Sequence, residues 1–250
     1  MRYILTRILK NFPNIYKYWL SYIEYVDFKY YDKHCHNYTI IPMGNYCLPR
    51  VITTINRLKP TKKYGEKTFP FDLCFSNFNS NTYFIDTKFC DFFSDTEFDK
   101  GKNYYINKKY HYIFNHDKNS MQEFKERYVK RIDNFYEVLS NTEKHIFFVI
   151  ATFEPIETND IENFINTINK YREFKTYSII IINQSNKIIN SDFKNLYCID
   201  MSDNKLFNRI NKSGDWIGEL KKMEKYDARI FNHKIAAKLS KIIKLSLRVK

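Results

Sequence analysis

The apolar positions of this 250-residue chain follow two rhythms. At 38–43 (YTIIPM), 145–152 (HIFFVIAT), 177–183 (YSIIIIN) and 196–201 (LYCIDM) they run with little or no polar interruption. Short unbroken runs of this kind suit strands covered on both faces, as in a parallel sheet. Elsewhere the apolar residues recur every three or four positions, which predicts helices at 47–58, 79–93, 120–140, 160–171 and 231–245. The clearest is 120–140 (SMQEFKERYVKRIDNFYEVLS), where Ser120 and Glu123 have capping-box spacing. Two short strands are predicted at 103–106 (NYYI) and 110–114 (YHYIF). Strands alternating with helices predict an α/β fold whose sheet is mainly parallel and flanked by helices.

The first 30 residues have a different texture. Ile4, Leu5, Ile8 and Leu9, then Tyr16, Trp19, Leu20, Ile23 and Val26, keep helical spacing on either side of a break near Pro13. Residues 1–36 therefore read as an amphipathic, aromatic N-terminal helical extension, and 37–250 as one α/β domain closed by a basic C-terminal helix. The expected role of the extension is to cover the core. Its alternative is to lie on lipid, apolar face down and basic residues at the flanks.

Composition narrows the picture only in part. Gly and Pro number 5 and 6, which excludes long flexible linkers. The formal net charge is +13, and residues 205–250 hold 13 Lys/Arg against 4 Asp/Glu. A polyanion or an anionic membrane surface, if bound, should meet that segment. The abundance of Lys, Asn, Ile and Tyr also looks like AT-rich coding, which raises Lys without selecting a partner. No zinc finger, ribonucleoprotein aromatic motif or GXXG clamp occurs, so nucleic acid is not the expected partner. No G-x-G-x-x-G or P-loop supports a nucleotide, and no cofactor is expected. With no signal peptide and no long apolar span in view, the expected location is cytoplasmic, with attachment to a membrane surface as an alternative.

Five cysteines, at 35, 47, 74, 90 and 198, form no C-x-x-C pair and no finger spacing. They read as reduced thiols, and no metal is expected at the His34-Cys35-His36 tripeptide. Cys47 differs from the others in its place. It follows a strand that ends in Met43-Gly44-Asn45 and stands at the first turn of a helix with Pro49. Ligands in open α/β sheets sit outside the carboxyl ends of strands. A helix N-terminus favours a thiolate, so Cys47 is expected to have a lowered pKa and to be the most reactive of the five. Gly44 and Asn45 would form the turn, and nearby N–H groups could hold an oxyanion. The packing alternative is a small apolar residue at a strand-to-helix junction.

Two later stretches add candidates. In TFPFDLCFSN (68–77), Asp72 stands in an apolar run and needs an Arg, a His or a helix N-terminus as partner. In YHYIFNHDKN (110–119), His116 follows a strand and precedes Asp117, a good place for a general base, whereas His111 reads as a half-buried strand residue. Near the C-terminus, Asp227 and His233 offer a rival pair, and the alternative for His233 is a solvated helix position.

Taken together, MGNYC (43–47), FPFD (69–72), FNHD (114–117), FKERYVKRIDNF (124–135) and HIFFVIAT (145–152) resemble a family of uncharacterised bacterial and viral proteins described, by prediction, as papain-like cysteine peptidases. The resemblance covers roughly 38–155 and is weaker to about 220. Leu73 stands where the family often has Trp, and Pro42-Met43-Gly44 where it tends to have Ser-Leu-Gly. It implies Cys47 as nucleophile and His116 as base, with Asp72 or Asp117 orienting the His. It also implies an α+β papain-like fold, in tension with the α/β reading of the strands. Asp227 and His233 resemble instead the C-terminal pair of flavodoxin-like esterases, though five residues separate them. The expected function is a cysteine-dependent hydrolase or acyl/amide transferase acting on a peptide, amide or ester. The alternative is a non-catalytic module that binds an anionic membrane, a glycan or nucleic acid.

Overall fold

The structure, a computed structural model, describes residues 2–45, 47–152, 156–183, 193–201 and 225–248. Four strands, β1 (Tyr38–Gly44), β5 (His145–Ala151), β6 (Tyr177–Asn183) and β7 (Leu196–Asp200), form one parallel sheet in the order β1-β5-β6-β7. A second sheet is antiparallel, with β2 (Thr96–Asp99), β3 (Tyr104–Asn107) and β4 (Tyr112–Phe114) in chain order. The fold is a mixed α/β one in which the expected parallel sheet carries an antiparallel companion.

The apolar strands are buried because both faces of the parallel sheet are covered. Ile41, Met43, Ile146, Phe148, Ile150, Ile179 and Ile181 meet α4 (Phe78–Asp86), α5 (Met121–Ser140), α6 (Thr158–Asn169) and the antiparallel sheet. The alternate residues Ile40, Phe147, Val149, Ile180 and Ile182 meet α3 (Leu48–Ile55) and the C-terminal helix α7 (Lys225–Arg248). Helix α7 buries Ile235, Leu239 and Ile243 and exposes Lys234, Lys238, Lys241 and Lys244, so its basic face is the outer one. The rest of the basic segment expected to meet a polyanion, 205–224 and 249–250, lies outside the described residues.

Local rules explain most boundaries. Ser120 and Glu123 close the α5 capping box, each side chain bonding the other's backbone N–H. Helix α4 stops at Asp86 rather than running to 93, because Lys88 and Phe89 take left-handed backbone at φ 52° and 59°. The Phe89 N–H then reaches back to the Phe84 carbonyl, a helix stop without the glycine that would have marked it. Phe84, Ile85, Phe89 and Phe92 are nevertheless all buried, as one core face. Strand β2 (TEFD) went unforeseen, since one apolar residue in four gives no alternation.

The N-terminal extension departs most from expectation. Helices α1 (Arg2–Leu9) and α2 (Pro13–Cys35) fold back on each other, with Trp19 Nε1 donating to Thr6 Oγ1 at 3.0 Å. Among the described residues, α2 is tied to the body by Asp27, which pairs with Arg57 at 2.9 Å, and by Tyr31, which packs against Tyr64. Only the last turns of α2 cover the core, where Tyr31 and Cys35 are buried. Among the described residues no helix is long and apolar enough to cross a membrane.

Candidate active site

Cys47 is the N-cap residue of α3, three positions beyond β1, and His116 lies two positions beyond β4. They are 69 residues apart in sequence, yet Cys47 Sγ is 3.8 Å from His116 Nε2, within hydrogen-bond reach for sulfur. A short lacing of backbone bonds brings them together. Phe75 bridges to Ile113 of β4 through N–H···O contacts of 2.9 and 3.0 Å. The next residue, Ser76, donates its N–H and its hydroxyl to the Gly44 carbonyl, each at 3.3 Å. The ends of β1 and β4 are therefore stitched to one segment, and the residues that follow each strand meet above it.

Gly44 is required at the end of β1. Its φ is +122°, and a Cβ there would overlap the carbonyl of Ala151, its partner on β5. Gly44→Ala is expected to cost about 3–5 kcal/mol through backbone strain and the clash. Urea denaturation checks this, and a loss below about 1 kcal/mol would show that the turn relaxes freely. Asn45 donates its N–H to Ala151 O at 2.9 Å, so that donor is spent in the sheet and is not free for an oxyanion. The donors that remain belong to α3. Cys47 makes no side-chain cap bond and Pro49 has no N–H, which leaves the N–H groups of Leu48 and Arg50 at the first turn. Tyr46 lies outside the described residues.

Burial pushes the Cys47 thiol up from its ordinary value, against the pull of its own backbone N–H. This corrects the expected lowering. Cys47 is half-buried, and the loss of water around the sulfur outweighs the field of a two-turn helix. A raised value favours the protonated thiol at neutral pH, and it faces His116 Nε2, the imidazole tautomer setting which of the two donates. Iodoacetamide alkylation of Cys47, mapped by mass spectrometry, is expected to keep rising with pH above ~8.5, the value of a free cysteine. A plateau below pH 7 would instead reveal a preformed thiolate–imidazolium pair. Cys90 and Cys198 are exposed while Cys35 and Cys74 are buried, so Cys90 is expected to alkylate faster than Cys47 at neutral pH.

Neither nearby carboxylate orients His116. Asp72 is fully buried and accepts from Arg50 at 3.3 Å, from Lys59 at 3.3 Å and from the Phe69 N–H at 3.0 Å. Glu66 completes the group, 2.7 Å from Arg50 Nη2 and 3.1 Å from Lys59 Nζ. Two cations and two anions thus form a buried cluster of zero net charge. Burial pulls Lys59 down to about 8, with Asp72 opposing the fall. Asp117 turns inward as well, to Arg127, to the Tyr128 hydroxyl at 3.2 Å and toward Arg131 at 3.9 Å. Its role is to anchor the loop after β4 onto α5.

The remaining sequence candidates fall elsewhere. Asp227 and His233 lie on α7, and their side chains are outside the described residues. His111 is exposed in a turn with φ 56°, not half-buried in a strand. Cys35 is buried and bonded to the Tyr38 hydroxyl at 3.4 Å, and among the described residues no cluster of three His, Cys, Asp or Glu is placed to hold a metal. A cavity of about 430 Å³ lies at the other end of β1, lined by Tyr38, Ile40, Lys59 and Glu66, and contains neither Cys47 nor His116. Sequence reasoning missed Arg50, Lys59, Glu66 and Ser76. The signal was there for Arg50, which stands one turn after Cys47 and so must share its surroundings. No family model, no curated protein and no solved structure matches the chain.

Proposed function

We propose that the chain is a cysteine-dependent acyl-transfer enzyme, with Cys47 as nucleophile and His116 as general base and acid. The observation that carries this is the 3.8 Å approach of Sγ to Nε2 at the carboxyl end of a parallel strand. In the forward step Sγ bonds to the carbonyl carbon while the thiol proton passes to Nε2. The developing oxyanion lies toward the α3 first-turn N–H groups. The proton on Nε2 then goes to the departing amine or alcohol, leaving a thioester on Cys47. Water attacks the thioester in hydrolysis and an amine in transfer. Either loses a proton to Nε2, and the thiol is restored.

A protonated resting thiol supports this order, since the proton must move as the bond forms. His116 is exposed, which favours a substrate that lies across the surface, such as an extended peptide or a side-chain amide. The cysteine-before-histidine order and the nucleophile at a helix start agree with the papain-like resemblance. The four-stranded parallel sheet behind them departs from an α+β papain-like fold. The test is acylation by p-nitrophenyl acetate, with the acetyl group mapped by mass spectrometry. A burst of p-nitrophenolate with the acetyl on Cys47, lost in His116→Ala, is the expected result, and acylation of Cys47 that is no faster with His116 than without it would overturn the assignment.

A further inference from the structure

We infer that the N-terminal helical hairpin is a docking element for an anionic bilayer surface, separate from the thiol site. Most of the large apolar side chains that the described residues expose lie between Leu5 and Phe28. On α2 they form a stripe. Ile15, Tyr18, Tyr22 and Tyr25 are spaced three, four and three apart and are 55–79% exposed. At about 100° per residue these four fall within an arc of roughly 80° along one side of the helix. Trp19 borders the stripe, stacking on Tyr22 at 5.8 Å while its Nε1 reaches Thr6 of α1, so the hairpin closes along one edge of the stripe and the four residues stay exposed. Asp27 and Tyr31 hold α2 to the body, and among the described residues the four side chains of the stripe stay exposed.

Charge selects the occupant. Residues 2–20 contain Arg2, Arg7, Lys10 and Lys17 and no acidic residue. A second copy packed side by side on the stripe would bring two such segments together. An anionic lipid surface would neutralise them, at about 1 kcal/mol for each Lys or Arg near the surface. The chemistry of the stripe agrees, because three of its four residues are tyrosines. A tyrosine places an apolar ring in the acyl boundary and its hydroxyl among headgroups, whereas a helix–helix seam favours branched aliphatic residues. The element lies on the bilayer, since no described helix can span it. The sequence reading placed a polyanion or anionic-lipid contact in the basic 205–250 segment and kept lipid contact of the N-terminal extension as its alternative; the exposed stripe favours the second.

The experiment is flotation of the full chain with neutral phosphatidylcholine vesicles and with vesicles containing a third phosphatidylserine, at low and at physiological salt. Co-flotation with the anionic vesicles only, weakened by salt, is expected. The triple variant Tyr18→Ser/Tyr22→Ser/Tyr25→Ser is expected to lose at least tenfold in binding, and Lys10→Glu/Lys17→Glu to lose it with the stripe intact. All three positions are exposed, so the melting temperature should not move, and thermal denaturation verifies that each variant folds. No flotation of the wild type, or equal flotation with neutral vesicles, would overturn the proposal. So would a dimer in light scattering that the triple variant dissolves, because the stripe would then belong to a second copy.

Discussion

His116→Ala is expected to slow acylation of Cys47 by about 10²–10⁴-fold at neutral pH, the usual contribution of a positioned general base. The reason is specific to this site. Burial holds the Cys47 thiol above its ordinary value, so few molecules carry a thiolate at pH 7. Attack on a carbonyl then requires the proton to leave as the S–C bond forms, and Nε2 at 3.8 Å is the group placed to take it. His116→Ala should act on acylation much more than on stability, because the ring is exposed and its removal opens no cavity. Raising the pH should partly restore the variant, since direct deprotonation of the thiol then replaces the base. Cys47→Ala should abolish the burst. If His116→Ala acylates as fast as wild type at every pH, the 3.8 Å approach is a packing contact and the chemistry lies elsewhere.

How far the sequence carried this picture depends on the kind of signal each element gave. Strands β5 and β6 were legible to within a residue, because full burial on both faces leaves no room for polar residues and the run ends where burial ends. Helix α5 was legible because its cap is local chemistry, spelled by Ser120 and Glu123. The meeting of Cys47 with His116 was proposed from where each sits relative to a strand end and from the family resemblance. The stitch that brings them together, Phe75 to β4 and Ser76 to Gly44, was not legible, because backbone bonds between distant segments leave no residue-type signature. The stop of α4 at Asp86 was hidden for a related reason. Left-handed backbone at Lys88 and Phe89 is held by packing of the buried Phe89 ring, not by a glycine. The direction of the Cys47 pKa went astray because a helix N-terminus can be read from a sequence and burial of the sulfur cannot.

Asp72 is where two readings of one residue part most sharply, and Asp72→Asn separates them. If the carboxylate oriented His116, the variant would keep its stability and lose acylation by orders of magnitude, as removing the carboxylate of a catalytic triad does. The geometry gives the opposite expectation. Asp72 meets Arg50 and Lys59 inside the fold, and its loss leaves two buried cations sharing Glu66 alone. Removing one partner of a buried ion pair costs about 3–5 kcal/mol. Asp72→Asn should therefore lower the urea midpoint steeply, while the molecules that remain folded acylate Cys47 at close to the wild-type rate. A second substitution can compensate the first. Lys59→Met removes the cation left in excess, and because Lys59 Nζ lies over the Phe69 ring at 4.7 Å, a methionine of similar length can reach the same ring. The double variant should then be more stable than Asp72→Asn alone by at least about 1 kcal/mol, a coupling within the range for residues in one network. Additive losses would mean that Asp72 and Lys59 stabilise the fold independently. Unchanged stability with lost acylation would return Asp72 to the catalytic site. Because Arg50 stands one turn after Cys47 on α3, the cluster also fixes the helix that presents the thiol, which gives a buried ion group with no contact to His116 a reason to lie beneath the site.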